Sequence, residues 1–69
     1  MNWSLIRYRK EVGITQTEIA DEIGMSLTSY SKKEKGQVDF KQSEMKKIIE
    51  VFSKQNLILT VDEVFFYKM

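Results

Sequence analysis

Apolar residues return every three or four positions through most of the chain, which is the period of one face of an α-helix. Near the amino end Leu5, Tyr8 and Val12 form such a stripe, with Trp3 and Ile6 beside it. The spacing predicts a first helix of about ten residues that Asn2 or Ser4 can cap and Gly13 ends. Ile19, Ala20 and Ile23 share a second face. Ahead of it, Thr15 and Glu18 have the spacing of a capping box, in which each side chain accepts the other residue's backbone N–H. Ile14 and Ile19 are placed as a hydrophobic staple across that helix start. Gly24 stops this helix, because glycine takes the left-handed cap conformation without steric cost. Ser26 then caps a third helix that runs to about Lys35 and stops at Gly36, with Met25 and Tyr30 at staple spacing.

Phe40 is the large apolar residue of the following loop and is expected to anchor it on the core. A fourth helix starts at about Lys41 or Gln42 and ends near Ser53, with Met45, Ile48, Ile49 and Phe52 as its apolar face. Residues 55–59 read as a short extended link, since Leu57, Ile58 and Leu59 are too few to form a strand without a partner. Thr60 and Glu63 make a second capping box and Leu59 and Val64 a second staple, opening a short fifth helix over about 61–66. The pattern is that of an all-α protein: a compact five-helix bundle, one domain over residues 1–69.

Composition narrows the chemistry. A chain of 69 residues buries only about 60 % of its unfolded surface and is marginally stable. Cysteine and histidine are both absent, so disulfides, thiolate or imidazole metal sites and histidine acid–base chemistry drop out. No Gly-rich phosphate loop occurs, and no cleft is expected in so small a bundle, so neither an enzyme nor a cofactor or metal protein is expected. The acid pairs Asp21–Glu22 and Asp62–Glu63 read as helix-surface charge. No apolar run approaches the roughly 20 residues of a membrane span, and the amino end lacks a signal peptide's apolar core. The expected location is the cytoplasm. Net charge is only +1, which is bland for a nucleic-acid binder. Placement is less bland: Lys32, Lys33 and Lys35 cluster beside Gly36, with Lys41, Lys46 and Lys47 beyond, whereas Glu11, Glu18, Asp21 and Glu22 lie earlier.

Two short helices joined by a glycine-containing turn, residues 15–36, form a helix-turn-helix. The residues Thr15 to Ala20 (TQTEIA), Gly24, Ser26 and Glu34 to Gly36 (EKG) resemble the lambda-repressor-like helix-turn-helix domains, which include phage Cro proteins and repressors. Arg9 and Gly13 upstream, and the sequence to about Phe66 downstream, extend the resemblance over nearly the whole chain. It implies that Arg9 pairs with Glu34 and that Gln16 bonds a DNA phosphate and so sets register. At Tyr30 and Lys33 the family usually has aliphatic residues. Tyr30 can substitute if its ring packs and its hydroxyl reaches water, and Lys33 must bury its stem while keeping its ammonium wet.

In a helix-turn-helix the second helix presents its amino-terminal residues to base edges in the major groove. Here Leu27, Thr28, Ser31 and Lys32 take the outward positions. Lys32 can donate to guanine O6 and N7, Thr28 can bond a base edge or touch a thymine methyl, and Leu27 offers apolar contact. Ser29 and Ser31 allow close approach, and Lys35, Gln37 and Lys41 are expected along the phosphates. The function implied is a sequence-specific transcriptional regulator of phage or prophage type, Cro- or repressor-like, acting on a double-stranded DNA operator. The alternative is a small phage-type modulator that binds a repressor or other protein, for which an exposed Leu27 and nearby Tyr30 speak. One half-site rarely gives enough affinity, so a homodimer is expected, with Ile58, Phe65, Phe66 and Tyr67 as its candidate surface.

Overall fold

The structure, a computed structural model, describes residues 1–66. Its helices are α1 (Trp3–Glu11), α2 (Gln16–Glu22), α3 (Leu27–Glu34), α4 (Gln42–Lys54) and α5 (Val61–Phe65), and no strand occurs among the described residues. The all-α bundle expected from the periodicity is what forms, with extents of 26 × 25 × 21 Å.

Local chemistry sets the helix starts. Thr15 Oγ1 accepts the Glu18 N–H at 3.1 Å while Glu18 Oε1 accepts the Thr15 N–H at 3.0 Å. The same reciprocal pair joins Thr60 and Glu63 at 3.2 and 3.0 Å. Ser26 Oγ caps α3 through the Ser29 N–H at 3.2 Å. At α4 only half a capping box forms: Glu44 accepts the Lys41 N–H at 2.8 Å, and a lysine side chain has no acceptor with which to reciprocate. The start of α1 departs from expectation. Neither Asn2 nor Ser4 makes a side-chain cap there. Asn2 instead donates its side-chain amide to Lys33 O and its backbone N–H to Glu34 O, both at 2.9 Å, tying the amino end to the carboxy end of α3.

Helices α1 to α4 each end on a Schellman motif. At the turn between α2 and α3, Met25 N–H bonds Ala20 O at 2.9 Å and Gly24 N–H bonds Asp21 O at 3.1 Å, with Gly24 at φ +74°. At the end of α4 the left-handed residue is Asn56, φ +63°, flanked by Leu57 N–H on Phe52 O and Asn56 N–H on Ser53 O. Asparagine tolerates that conformation better than other side-chain-bearing residues. The segment 55–59 is therefore a helix cap followed by extended chain, not an extended link throughout.

The core gathers Leu5 from α1, Ile19 and Ala20 from α2 with Ile23 at its carboxy cap, Tyr30 from α3, Phe40, then Ile48, Val51 and Phe52 from α4, and Val64 from α5. α2 packs on α3 and α4, and α5 on α1 and α4. Of the α4 face, Ile48 and Phe52 are buried but Met45 and Ile49 only half-buried, and Val51 completes the face. Phe40 anchors its loop edge-on between the rings of Tyr30 and Phe65, at 5.9 and 5.3 Å between centroids. Such aromatic pairs add about 0.5–1.5 kcal/mol each beyond area burial. Phe65, expected on an outer contact surface, is shared between that surface and the core, its ring half-buried. Ile58 and Phe66 stay outside, 77 % and 59 % exposed. Tyr67 lies outside the described residues.

Candidate nucleic-acid interface

The turn at Gly24 and the Ser26 cap set α3 on the bundle with one face in and one face out. Tyr30 and Glu34, one helical turn apart, are 0 % and 2 % exposed. Leu27, Thr28, Ser29 and Lys32 are exposed and Ser31 is half-buried. The four residue types on the outward side supply one cation, two hydroxyls and one apolar tip, a set suited to base edges and thymine methyls rather than to catalysis. Lys35 at the carboxy cap of α3, Gln37 in the loop and Lys41 before α4 are also exposed.

The inner face is fixed by a charged pair. Arg9 Nε donates to Glu34 Oε2 at 2.9 Å and Arg9 Nη2 to Glu34 Oε1 at 3.1 Å, while Nη1 reaches Ile14 O at 3.0 Å. The two-pronged contact matches the planar guanidinium to the carboxylate. Gln16 Nε2 donates to the same Glu34 Oε1 at 2.8 Å, and the Tyr30 hydroxyl to Oε2 at 2.5 Å. Burial alone would raise the Glu34 pKa, but the bonds from Arg9, Tyr30 and Gln16 outweigh it and hold the carboxyl below its usual range. Burial alone would likewise lower Arg9, and Glu34 reverses the sign. Burial and the hydrogen bond to Glu34 together push the Tyr30 phenol far above its ordinary value. Among the described residues no buried side-chain nitrogen or oxygen lacks a partner.

Two expectations for α3 change. The Tyr30 hydroxyl does not reach water; it donates to a buried carboxylate, so Tyr30 offers nothing to an outside partner. The Lys33 ammonium is not left to water alone either: in a part-buried contact it pairs with Glu44 of α4 at 2.7 and 2.9 Å. Burial would raise Glu44, but the Lys33 bond and the Lys41 N–H hold it below the usual carboxylate range. Lys33 is thereby removed from the cationic cluster, leaving Lys32 and Lys35 as the exposed lysines of that run. Gln16 is half-buried at the start of α2 with its amide engaged inward. Glu18, Asp21 and Glu22 are exposed on α2, so the acidic and basic surfaces belong to different helices. Tyr30 and Glu34 stand four apart, the spacing at which helical side chains meet, so their contact had a signal in the sequence. The ties of Asn2 and Glu44 to α3 had none.

A family model described as helix-turn-helix matches residues 5–55. Over 33 residues the chain is 54 % identical to the cryptic phage CTXphi transcriptional repressor RstR of Vibrio cholerae, a match covering 48 % of this chain and 30 % of that protein. The matched stretch thus spans less than a third of the relative's length. No solved structure matches. Because the family match runs from Leu5 in α1 to the end of α4 and encloses the capped pair α2–α3, the chain belongs to the lambda-repressor-like helix-turn-helix family.

Proposed function

We propose that this chain is a sequence-specific DNA-binding transcriptional regulator of phage repressor or Cro type, reading the major groove of a double-stranded operator with α3. The observation that carries the reading is the division of α3 into a pinned inner face, Tyr30 and Glu34, and an exposed outer face bearing Leu27, Thr28, Ser29 and Lys32. A helix held at fixed roll with small polar and cationic residues outward is what direct readout needs. Ser31 lies beside that face, and Lys35, Gln37, Lys41 and Gln16 act on phosphates. The relative's role, transcriptional repression, supports the same kind of activity here. The role requires no cofactor and no catalysis, and it is exercised in the cytoplasm, where phage and bacterial DNA lie.

The residues 1–69 act as one domain and pair as a homodimer through the surface marked by Ile58 and Phe66. Such pairing lets two copies of α3 meet half-sites about 34 Å apart. One observation favours a protein partner instead: Leu27 is 46 % exposed on the outer face of α3. Burial of Tyr30 takes away the other half of that rival argument.

Selection of binding sites from random DNA, followed by titration across salt concentrations, tests the proposal. Enrichment of one sequence is expected, with log K falling by about 0.9 for each phosphate contact per decade of salt. No enrichment, together with salt-insensitive capture of a repressor-type protein, overturns it in favour of the modulator.

A further inference from the structure

Glu34 is the point where three helices meet on one carboxylate. Oε1 accepts from Arg9 Nη2 of α1 and Gln16 Nε2 of α2, and Oε2 accepts from Arg9 Nε and from the Tyr30 hydroxyl of α3 itself. An ionised carboxylate offers about four lone-pair sites and no donor, so its capacity is filled. Only the NH₂ end of the Gln16 amide can face such a group. One N–H of Nε2 is thus committed inward, and the flip of the amide is decided by the buried charge. The other N–H makes no hydrogen bond among the described residues, and the residue is half-buried.

We propose that Tyr30 and Glu34 are positioning residues for Gln16, holding its amide so that an N–H is presented to a DNA phosphate. The inference rests on the DNA-binding reading. A freely turning glutamine would offer phosphate its carbonyl oxygen as often as its N–H. The terminal torsion of a glutamate is soft and broad, so its carboxylate alone would not aim anything. Arg9 grips both oxygens, and the Tyr30 hydroxyl locks Oε2 from the opposite end of the carboxylate to Gln16. Tyr30 itself cannot turn away, because its ring is fully buried and held edge-on by Phe40. The tyrosine at a position where the family usually carries an aliphatic residue therefore has a task an aliphatic cannot perform.

Tyr30→Phe keeps the ring and deletes the hydroxyl; Gln16→Ala deletes the aimed group. On a selected DNA site each single variant should bind about three- to tenfold more weakly, the span of one hydrogen bond. The salt slope should stay at its wild-type value in both, because a neutral amide neutralises no phosphate charge. The double variant should bind no more weakly than Gln16→Ala alone. Gln16→Lys in the Tyr30→Phe background should regain affinity and steepen the salt slope by about one unit, because an ammonium donates in several directions, needs no aiming and neutralises a phosphate. A loss from Tyr30→Phe that is equal with and without Gln16, or no loss at all, overturns the proposal. A second readout needs no DNA: in the NMR spectrum of the unbound protein one of the two Gln16 side-chain amide protons should be displaced from its position in a free glutamine and exchange more slowly, and Tyr30→Phe should reduce both effects. Unaltered amide signals in Tyr30→Phe sink the positioning role, whereas wild-type protein that binds no DNA sinks the functional reading instead.

Discussion

Glu34→Gln is the single change that most sharply tests the account of what holds this domain together. The substitution keeps shape and removes charge. Four donor hydrogens converge on the native carboxylate. An amide offers one oxygen and turns an NH₂ toward the others, so donors would face donors. Arg9, only 8 % exposed, would also be left as an unpaired buried cation. Breaking a buried pair in this way costs about 3–5 kcal/mol. A domain of this size has in total only about 3–10 kcal/mol of stability. Thermal melts followed by circular dichroism should therefore show a midpoint lower by more than about ten degrees, or no folded baseline. Replacing the whole cluster, with Arg9→Met, Glu34→Leu and Tyr30→Phe together, should recover much of the loss, because the buried charges leave together and only the half-buried Gln16 amide must turn to water. A midpoint for Glu34→Gln within about two degrees of wild type would refute the reasoning. The pH profile gives a second check. Glu34 is depressed in the fold, and Glu44 and Glu18 move the same way. Their contribution is present above the unfolded carboxylate pKa of about 4.3 and is lost as pH falls through the folded values. Tyr30 is raised, so its contribution is present below the unfolded phenol value of about 10 and is lost as pH climbs beyond it. Stability should thus form a plateau with an acid limb and an alkaline limb, and Tyr30→Phe should flatten the alkaline limb.

Other substitutions probe separate links. Thr28→Ala and Lys32→Ala should each weaken binding to a selected site by about 1–3 kcal/mol and relax preference at one base position in mobility shifts; wild-type affinity for both would remove α3 as the reader. Ala20, 1 % exposed in the α2 face that meets α3 and α4, leaves no room for a larger residue. Ala20→Leu should lower unfolding free energy by about 1–3 kcal/mol in urea titrations, and an unchanged midpoint would mean that α2 packs otherwise. Ile58→Glu with Phe66→Glu should leave the thermal midpoint in place and abolish concentration-dependent sedimentation; self-association that survives both charges would put the dimer elsewhere.

How much could be read from the chain follows from the range of each interaction. Thr15 with Glu18, Thr60 with Glu63 and the Ser26 cap join residues three apart, so sequence alone located those helix starts. The glycine stops were legible for the same reason, since a positive φ is a property of one residue; Asn56 was missed because asparagine takes that conformation less often. The exposure of Leu27, Thr28 and Lys32 on α3 also followed from local periodicity, whereas Ser31, expected beside them, is half-buried. The pairing of Arg9 with Glu34 came through family resemblance alone, across 25 positions. The tasks of Asn2, Tyr30, Lys33 and Phe65 depended on the packed structure. Asn2 finds Lys33 across 31 positions and Lys33 finds Glu44 across 11. Tyr30 reaches its carboxylate within one helix, but whether that carboxylate is buried and shared with Arg9 and Gln16 depends on how α1, α2 and α3 come together. Lysine and tyrosine can each end in water or on a buried partner, and periodicity cannot choose between the two. The choice is made by which faces meet, because a buried polar tip must find its acceptor on whatever element packing has placed within about 3 Å.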